Sequence, residues 1–267
     1  MSSSSDRKKP HIAFLPSAGM GHLKPFCSLA AALSERGCDV SFITVHPAVS
    51  EAESCHVSNF FAAFPRIRRL DFDLGAFDPS GVASTDPFFL RVEAIRRSAH
   101  LLPALLAASS PGPKVDREDG EVELEGLLGE RYLERVKDRG LVVKGWVDQE
   151  EILRHRAIGG FLSHCGANSV FEAAFHGVPV LGWPEGGDQR VNAEVVVRSG
   201  LGIWVKEWSW EGEEEVVMGE EIGERVRHLM EDEGLQASAA RLREGAVKAV
   251  AEDGSSGKGL AEFIRML

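Results

Sequence analysis

At 267 residues, 43% apolar and 27% charged, the chain has the composition of a globular protein and the length for one large or two small domains. A net charge of −11 argues against nucleic-acid partners, and the acid gathers in 118–134 and 207–224, which read as solvated helix and loop faces. Cys27, Cys38, Cys55 and Cys165 show no paired spacing, so a reduced, cytoplasmic setting is expected.

Residues 1–10 (MSSSSDRKKP) read as a disordered polar tail, and the apolar run after them is only one strand long, which predicts neither a signal peptide nor a membrane span. His11 to Leu15 predicts a strand and the Pro16–Gly21 segment a turn. A helix follows from His22 to Arg36, stopped by Gly37, and Val40 to Val45 predicts a second strand. This β-loop-α-β order opens a Rossmann-like domain. The dinucleotide fingerprint is broken, because its third Gly would fall at Lys24, so NAD and FAD are not expected. His22 has two readings, a cap or surface residue and a base, since a helix N-terminus disfavours the imidazolium and keeps the ring able to accept a proton.

Ala48 to Asn59 predicts a helix, Phe60 to Leu70 a connection and strand, and a helix capped by Asp86 starts at Pro87. After Leu105–Pro113 (LLAASSPGP) the chain enters the charged stretch from Lys114.

Trp146 to Gln189 carries the most information. Asp148 to His155 reads as a polar turn and short helix, Ile158 to Ser163 as a strand, and a helix opens at Asn168-Ser169 behind His164-Cys165-Gly166. A buried strand, a Gly turn and an Asn/Ser cap present free backbone N–H groups, a seat for phosphate. Glu172 lies on the same helix face, and its carboxylate can accept from two ribose hydroxyls. Val178 to Gly182 is a further strand, and Asp188-Gln189 open the next helix at a strand's carboxyl end, where open α/β sheets bind ligands. Glu172 and His176 have i, i+4 spacing, but a zinc site needs further converging ligands; His176 is expected on the outer helix face and Cys165 as a buried filler.

The stretch resembles the donor-sugar signature of plant family 1 glycosyltransferases, which use UDP-sugars. The resemblance implies that Trp146 stacks on uracil, Gln149 contacts the nucleoside, and His164, Gly166, Ala167, Asn168 and Ser169 surround the diphosphate. It further implies that Glu172 holds the ribose and that Asp188 and Gln189 hold the sugar hydroxyls. Ala167 stands where that family usually has Trp, keeping the backbone amide and losing the indole. Gly21-His22-Leu23-Lys24-Pro25 resembles the family's segment whose His is the catalytic base, and the run from Asp86 resembles the subgroup that makes flavonoid C-glycosides. The activity implied by the resemblance is a metal-independent, cofactor-free transfer of a hexose, expected to be glucose, from UDP-sugar to a small phenolic acceptor.

The resemblance also implies an α/β protein of two Rossmann-like domains in the B-type glycosyltransferase fold, an incomplete acceptor domain over 11–110 and a donor domain over 111–267. Two complete domains of that kind need roughly 300 residues. The family carries a long further segment near residues 109–115, including the Asp that orients its catalytic His. An inactive remnant that binds UDP-sugar is therefore the alternative, with an open sheet edge and uncovered apolar faces. After the signature, a helix over Val191–Arg198, a strand over Gly202–Val205, an acidic loop and three helices are expected. The oligomeric state is left open.

Overall fold

A computed structural model describes residues 11–17, 19–74, 87–107, 130–137, 140–143, 147–208 and 216–267. Trp146, Asp86, the tail over 1–10 and the junction at 109–115 lie outside them. The chain divides into two compact units, Met1–Val147 and Asp148–Leu267. The expected division at residue 110 lies earlier than this boundary, and most residues between the two positions are outside the described ones.

The first unit is built on a parallel sheet in the order β1 (His11–Phe14), β2 (Asp39–His46), β3 (Arg68–Asp73). Val40 to Thr44 are all buried, as a central parallel strand covered on both faces requires. Helix α1 (Met20–Glu35) buries Leu23, Cys27, Ala30 and Leu33 at helical spacing. It ends as expected at Gly37, whose φ of 88° lets Cys38 N–H reach the Leu33 carbonyl. Helix α2 (Glu51–Ala63) starts three residues later than expected, because the Ser50 side chain accepts from Glu53 N–H and caps it there. The Phe42 ring packs between Phe14, at 6.2 Å, and Phe60, at 5.2 Å. Helices α3 (Pro87–Ser98), α4 (Leu102–Ala107) and α5 (Glu130–Val136) come next.

The second unit holds another parallel sheet in the order β4 (Phe161–Ser163), β5 (Val180–Gly182), β6 (Gly202–Trp204). Short helix α6 (Gln149–Arg154) precedes it; α7 (Ala167–His176) and α8 (Gln189–Ser199) join its strands, and α9 (Gly219–Glu231), α10 (Glu233–Val250) and α11 (Ser255–Met266) close the chain. The core joins Cys165, Val170 and Ala173 to Val180, Val196, Leu201 and Ala239. Gly177 and Gly200 end α7 and α8 in the left-handed region.

Strands β1 and β4 each end a sheet. Ala13 is exposed and Leu162 is 47% exposed, although parallel strands are ordinarily buried on both faces. Phe171 of α7 and Val191 of α8 are 72% and 66% exposed.

Candidate functional site

The second unit gathers several of the expected donor residues around the start of α7. Cys165 sits at φ 64°, unusual for a residue with a side chain, and is held by its N–H to Ser163 Oγ at 3.1 Å and by Asn192 Nδ2 to its carbonyl at 3.0 Å. This turn aims the chain into α7 with Gly166 as N-cap, so the helix begins at Ala167 and not at the expected Asn168-Ser169 cap. Asn168 and Ser169 instead occupy the first turn, where backbone N–H groups have no intrahelical acceptor. A side chain at Gly166 would meet His164 Nε2 at 2.6 Å, so glycine lets the exposed His164 ring lie over the turn.

Gln149, the first residue of α6, donates through Nε2 to Glu172 Oε2 at 2.7 Å and to Ser169 Oγ at 3.2 Å. Asp148 caps α6 by accepting from Glu151 N–H. Three residues chosen for spacing and resemblance are thus joined by side-chain contacts.

Asp188 is the residue before α8, and its Oδ2 accepts from Asn192 Nδ2 at 2.9 Å. Gln189 Oε1 accepts from Glu185 N–H at 2.8 Å and Gly186 N–H at 3.2 Å, which pins the loop. Asn192 was not singled out in the sequence, yet its amide ties Asp188 to the Cys165 turn. Its i, i+4 spacing from Asp188 was the signal available.

His176 corrects the sequence reading. Its side chain is only 9% exposed and lies 3.5 Å from Glu150, so it faces α6 and not the outer surface. Burial pushes the Cys165 thiol up to about 11, in keeping with a filler role. Within the first unit, His22 is exposed in the first turn of α1, its N–H donating to the Gly19 carbonyl. Gly19 itself has φ 92°, and its N–H donates to the Glu53 carboxylate. Among the described residues no group of metal-ligating side chains converges, and no helix is long and apolar enough to cross a membrane.

The family model described as UDP-glucoronosyl and UDP-glucosyl transferase matches residues 132–217. A protein of Oryza sativa subsp. indica named UDP-glycosyltransferase CGT is 34% identical, over 97% of this chain and 96% of its own. The chain belongs to the UDP-glycosyltransferase family. UDP-glycosyltransferase 708G2 of Citrus unshiu is 30% identical, over 96% of each chain. Among solved structures, LpCGTa in complex with UDP is 31% identical with a TM-score of 0.82, covering 97% of this chain and 99% of that one. Medicago truncatula UGT71G1, 16% identical with a TM-score of 0.69, shares the fold. The architecture is the B-type glycosyltransferase fold with two Rossmann-like domains, the first of them incomplete. The rice alignment spans 454 positions against 267 residues here, so at least 187 positions of this UDP-glycosyltransferase alignment have no counterpart in the chain.

Proposed function

We propose that the chain transfers glucose from UDP-glucose to a small phenolic acceptor through an inverting displacement. The observation that carries the reading is the Gln149–Ser169–Glu172 contact at the start of α7. In this reading Glu172 accepts from the ribose hydroxyls and Gln149 holds that carboxylate while facing the nucleoside. Trp146 stacks on the uracil. The amides of Ala167, Asn168 and Ser169, with Gly166 and His164, meet the charge that develops on the departing β-phosphate. Asp188 and the Nε2 of Gln189 hold the sugar so that its anomeric carbon faces the acceptor.

His22 takes the acceptor's proton, the acceptor atom bonds to the anomeric carbon, and the bond to UDP breaks. A positioned base contributes roughly a hundred- to ten-thousand-fold. The relatives named CGT, and a Malus domestica relative named phloretin 2'-O-glucosyltransferase, 43% identical over 54% of this chain, support a phenolic acceptor, with carbon and oxygen both open to attack. The reading involves no metal, a soluble chain and a cytoplasmic setting.

A second reading has the chain bind UDP-sugar without transfer. At least 187 unmatched alignment positions and the exposed side chains of edge strands β1 and β4 favour it. Incubation of purified chain with UDP-glucose and phloretin separates the two. A glycoside stable to hot acid means C-transfer, an acid-labile one means O-transfer, and no glycoside from a folded, UDP-binding chain means the second reading.

A further inference from the structure

Glu53, in α2, is a buried carboxylate that the transfer reading leaves without a role. It is only 8% exposed, and both side-chain oxygens are occupied by main-chain amides: Oε1 accepts from Gly19 N–H and Oε2 from Val49 N–H at 2.9 Å. Burying a carboxylate is costly unless such hydrogen bonds satisfy it, and bonds to an ionised acceptor are the stronger kind. Gly19 belongs to the loop after β1 and Val49 to the loop after β2, so one side chain ties together two loops at the same end of the parallel sheet.

The tie at Gly19 reaches His22 through the main chain. Gly19 is the N-cap of α1 at φ 92° and offers no capping side chain. Its carbonyl accepts from His22 N–H and Leu23 N–H, both at 3.0 Å, the bonds that open the helix. Gly19 is thus held on one side by α2, from 34 positions away, and on the other by the turn that carries His22. A glycine released from that hold regains more backbone freedom than any other residue, and the first turn of α1 moves with it. The base of the clamp is fixed as well, because Ser50 Oγ accepts from Glu53 N–H at 3.3 Å and caps α2 beside Val49. Arg91 Nη2 donates to the Val45 carbonyl at 3.0 Å; burial lowers its guanidinium, and the Glu53 charge works to keep it protonated.

We propose that Glu53 is a positioning residue for transfer, clamping the Gly19 and Val49 amides so that the first turn of α1 holds His22 where it takes the acceptor's proton. The inference rests on the reading of His22 as the base, and Glu53 acts on it through the main chain of Gly19.

The test is phloretin glycosylation with UDP-glucose by the full chain in wild type, Glu53→Gln, His22→Ala and the double variant, each checked for a cooperative melt. The Gln side chain keeps the size of Glu53 and only one acceptor oxygen, so one amide is released. Glu53→Gln should lower kcat about ten- to a hundredfold with the KM for UDP-glucose unchanged, since a misplacement of about 1 Å costs on the order of a hundredfold. In the His22→Ala background it should cost nothing further, whereas a merely structural Glu53 would cost the same in both. Glu53→Asp keeps the charge but is too short to reach both amides, and should lose activity as the Gln variant does. An undiminished loss in the His22→Ala background, a wild-type kcat in folded Glu53→Gln, or loss of the cooperative melt in both Glu53 variants would each overturn the proposal. A wild type that forms no glycoside contradicts the transfer reading alone, because NMR judges Glu53 independently of turnover. The His22 ring resonances should shift in Glu53→Gln while those of His228, in the second unit, stay, and unmoved His22 resonances would overturn the clamp.

Discussion

Gln149 and Glu172 are 23 positions apart in sequence, and their side chains meet at 2.7 Å. The contact fixes a carboxylate against the first turn of α7 by an amide from a separate helix. A nucleotide reaching that helix start would find Glu172 already oriented, which lowers the ordering cost of binding.

Removing that carboxylate should therefore cost ribose recognition specifically. Glu172→Ala is expected to weaken UDP by about 1.5–3 kcal/mol, the range for hydrogen bonds to a charged group. Wild type should prefer UDP over 2'-deoxy-UDP, and the variant should bind both alike. Calorimetric titration of the two nucleotides checks this, and a preference that survives in the variant would remove Glu172 from the ribose.

Asn192 is expected to act through Asp188 and the Cys165 turn, which its amide joins. Asn192→Ala should lower UDP-glucose affinity by about tenfold, as the amide bonds to the Cys165 carbonyl and to Asp188 are lost. Plain UDP should lose less, because Asp188 is assigned to the sugar. Equal losses for the two ligands would mean that Asn192 supports the turn alone.

Asp71 links the first unit's stability to pH. Burial works to raise its carboxyl, but hydrogen bonds from Thr44, Arg69 and His46, with the Arg69 charge, bring it below its ordinary value. A folded-state pKa below the unfolded one means stability that is present above about pH 4 and lost as pH falls through the folded value. Asp71→Asn should cost about 1–3 kcal/mol at pH 7 and flatten the acid limb of a denaturation series. An acid limb identical to wild type would exclude Asp71 from it.

Thiol labelling reads whether both units are packed. Cys27, Cys38 and Cys165 are buried and Cys55 is exposed. Burial also pushes the Cys27 thiol up to about 12, far from its reactive thiolate form. Ellman's reagent should modify Cys55 alone in the native chain and all four cysteines in denaturant. Rapid reaction of all four without denaturant would contradict the packing described.

Much of this was legible in the sequence because its signals are local. Gly37 marked the end of α1, the Val40–Val45 run marked β2, and the spacing of Ser169 and Glu172, with Gln149 implied by the resemblance, marked residues that the fold brings together. The helix starts were less legible. Asn168 and Ser169 are good caps, but the left-handed turn at Cys165 sets the helix to begin one residue earlier, at Ala167. Ser50 moved α2 past Ala48 through a side-chain bond that competes with other candidate starts nearby. Burial of His176 was hidden because it depends on α6 packing across α7, a tertiary contact that no local pattern encodes. The His46–Asp71 pair was missed for the same reason, since it joins neighbouring strands 25 positions apart.

The central claim is that the second unit presents a formed UDP site despite at least 187 alignment positions without a counterpart. Thermal unfolding of the purified chain with and without saturating UDP tests it most directly. A cooperative melt stabilised by up to about 2.7 kcal/mol at a hundredfold excess over Kd is the predicted result. A broad transition that UDP does not move would contradict it.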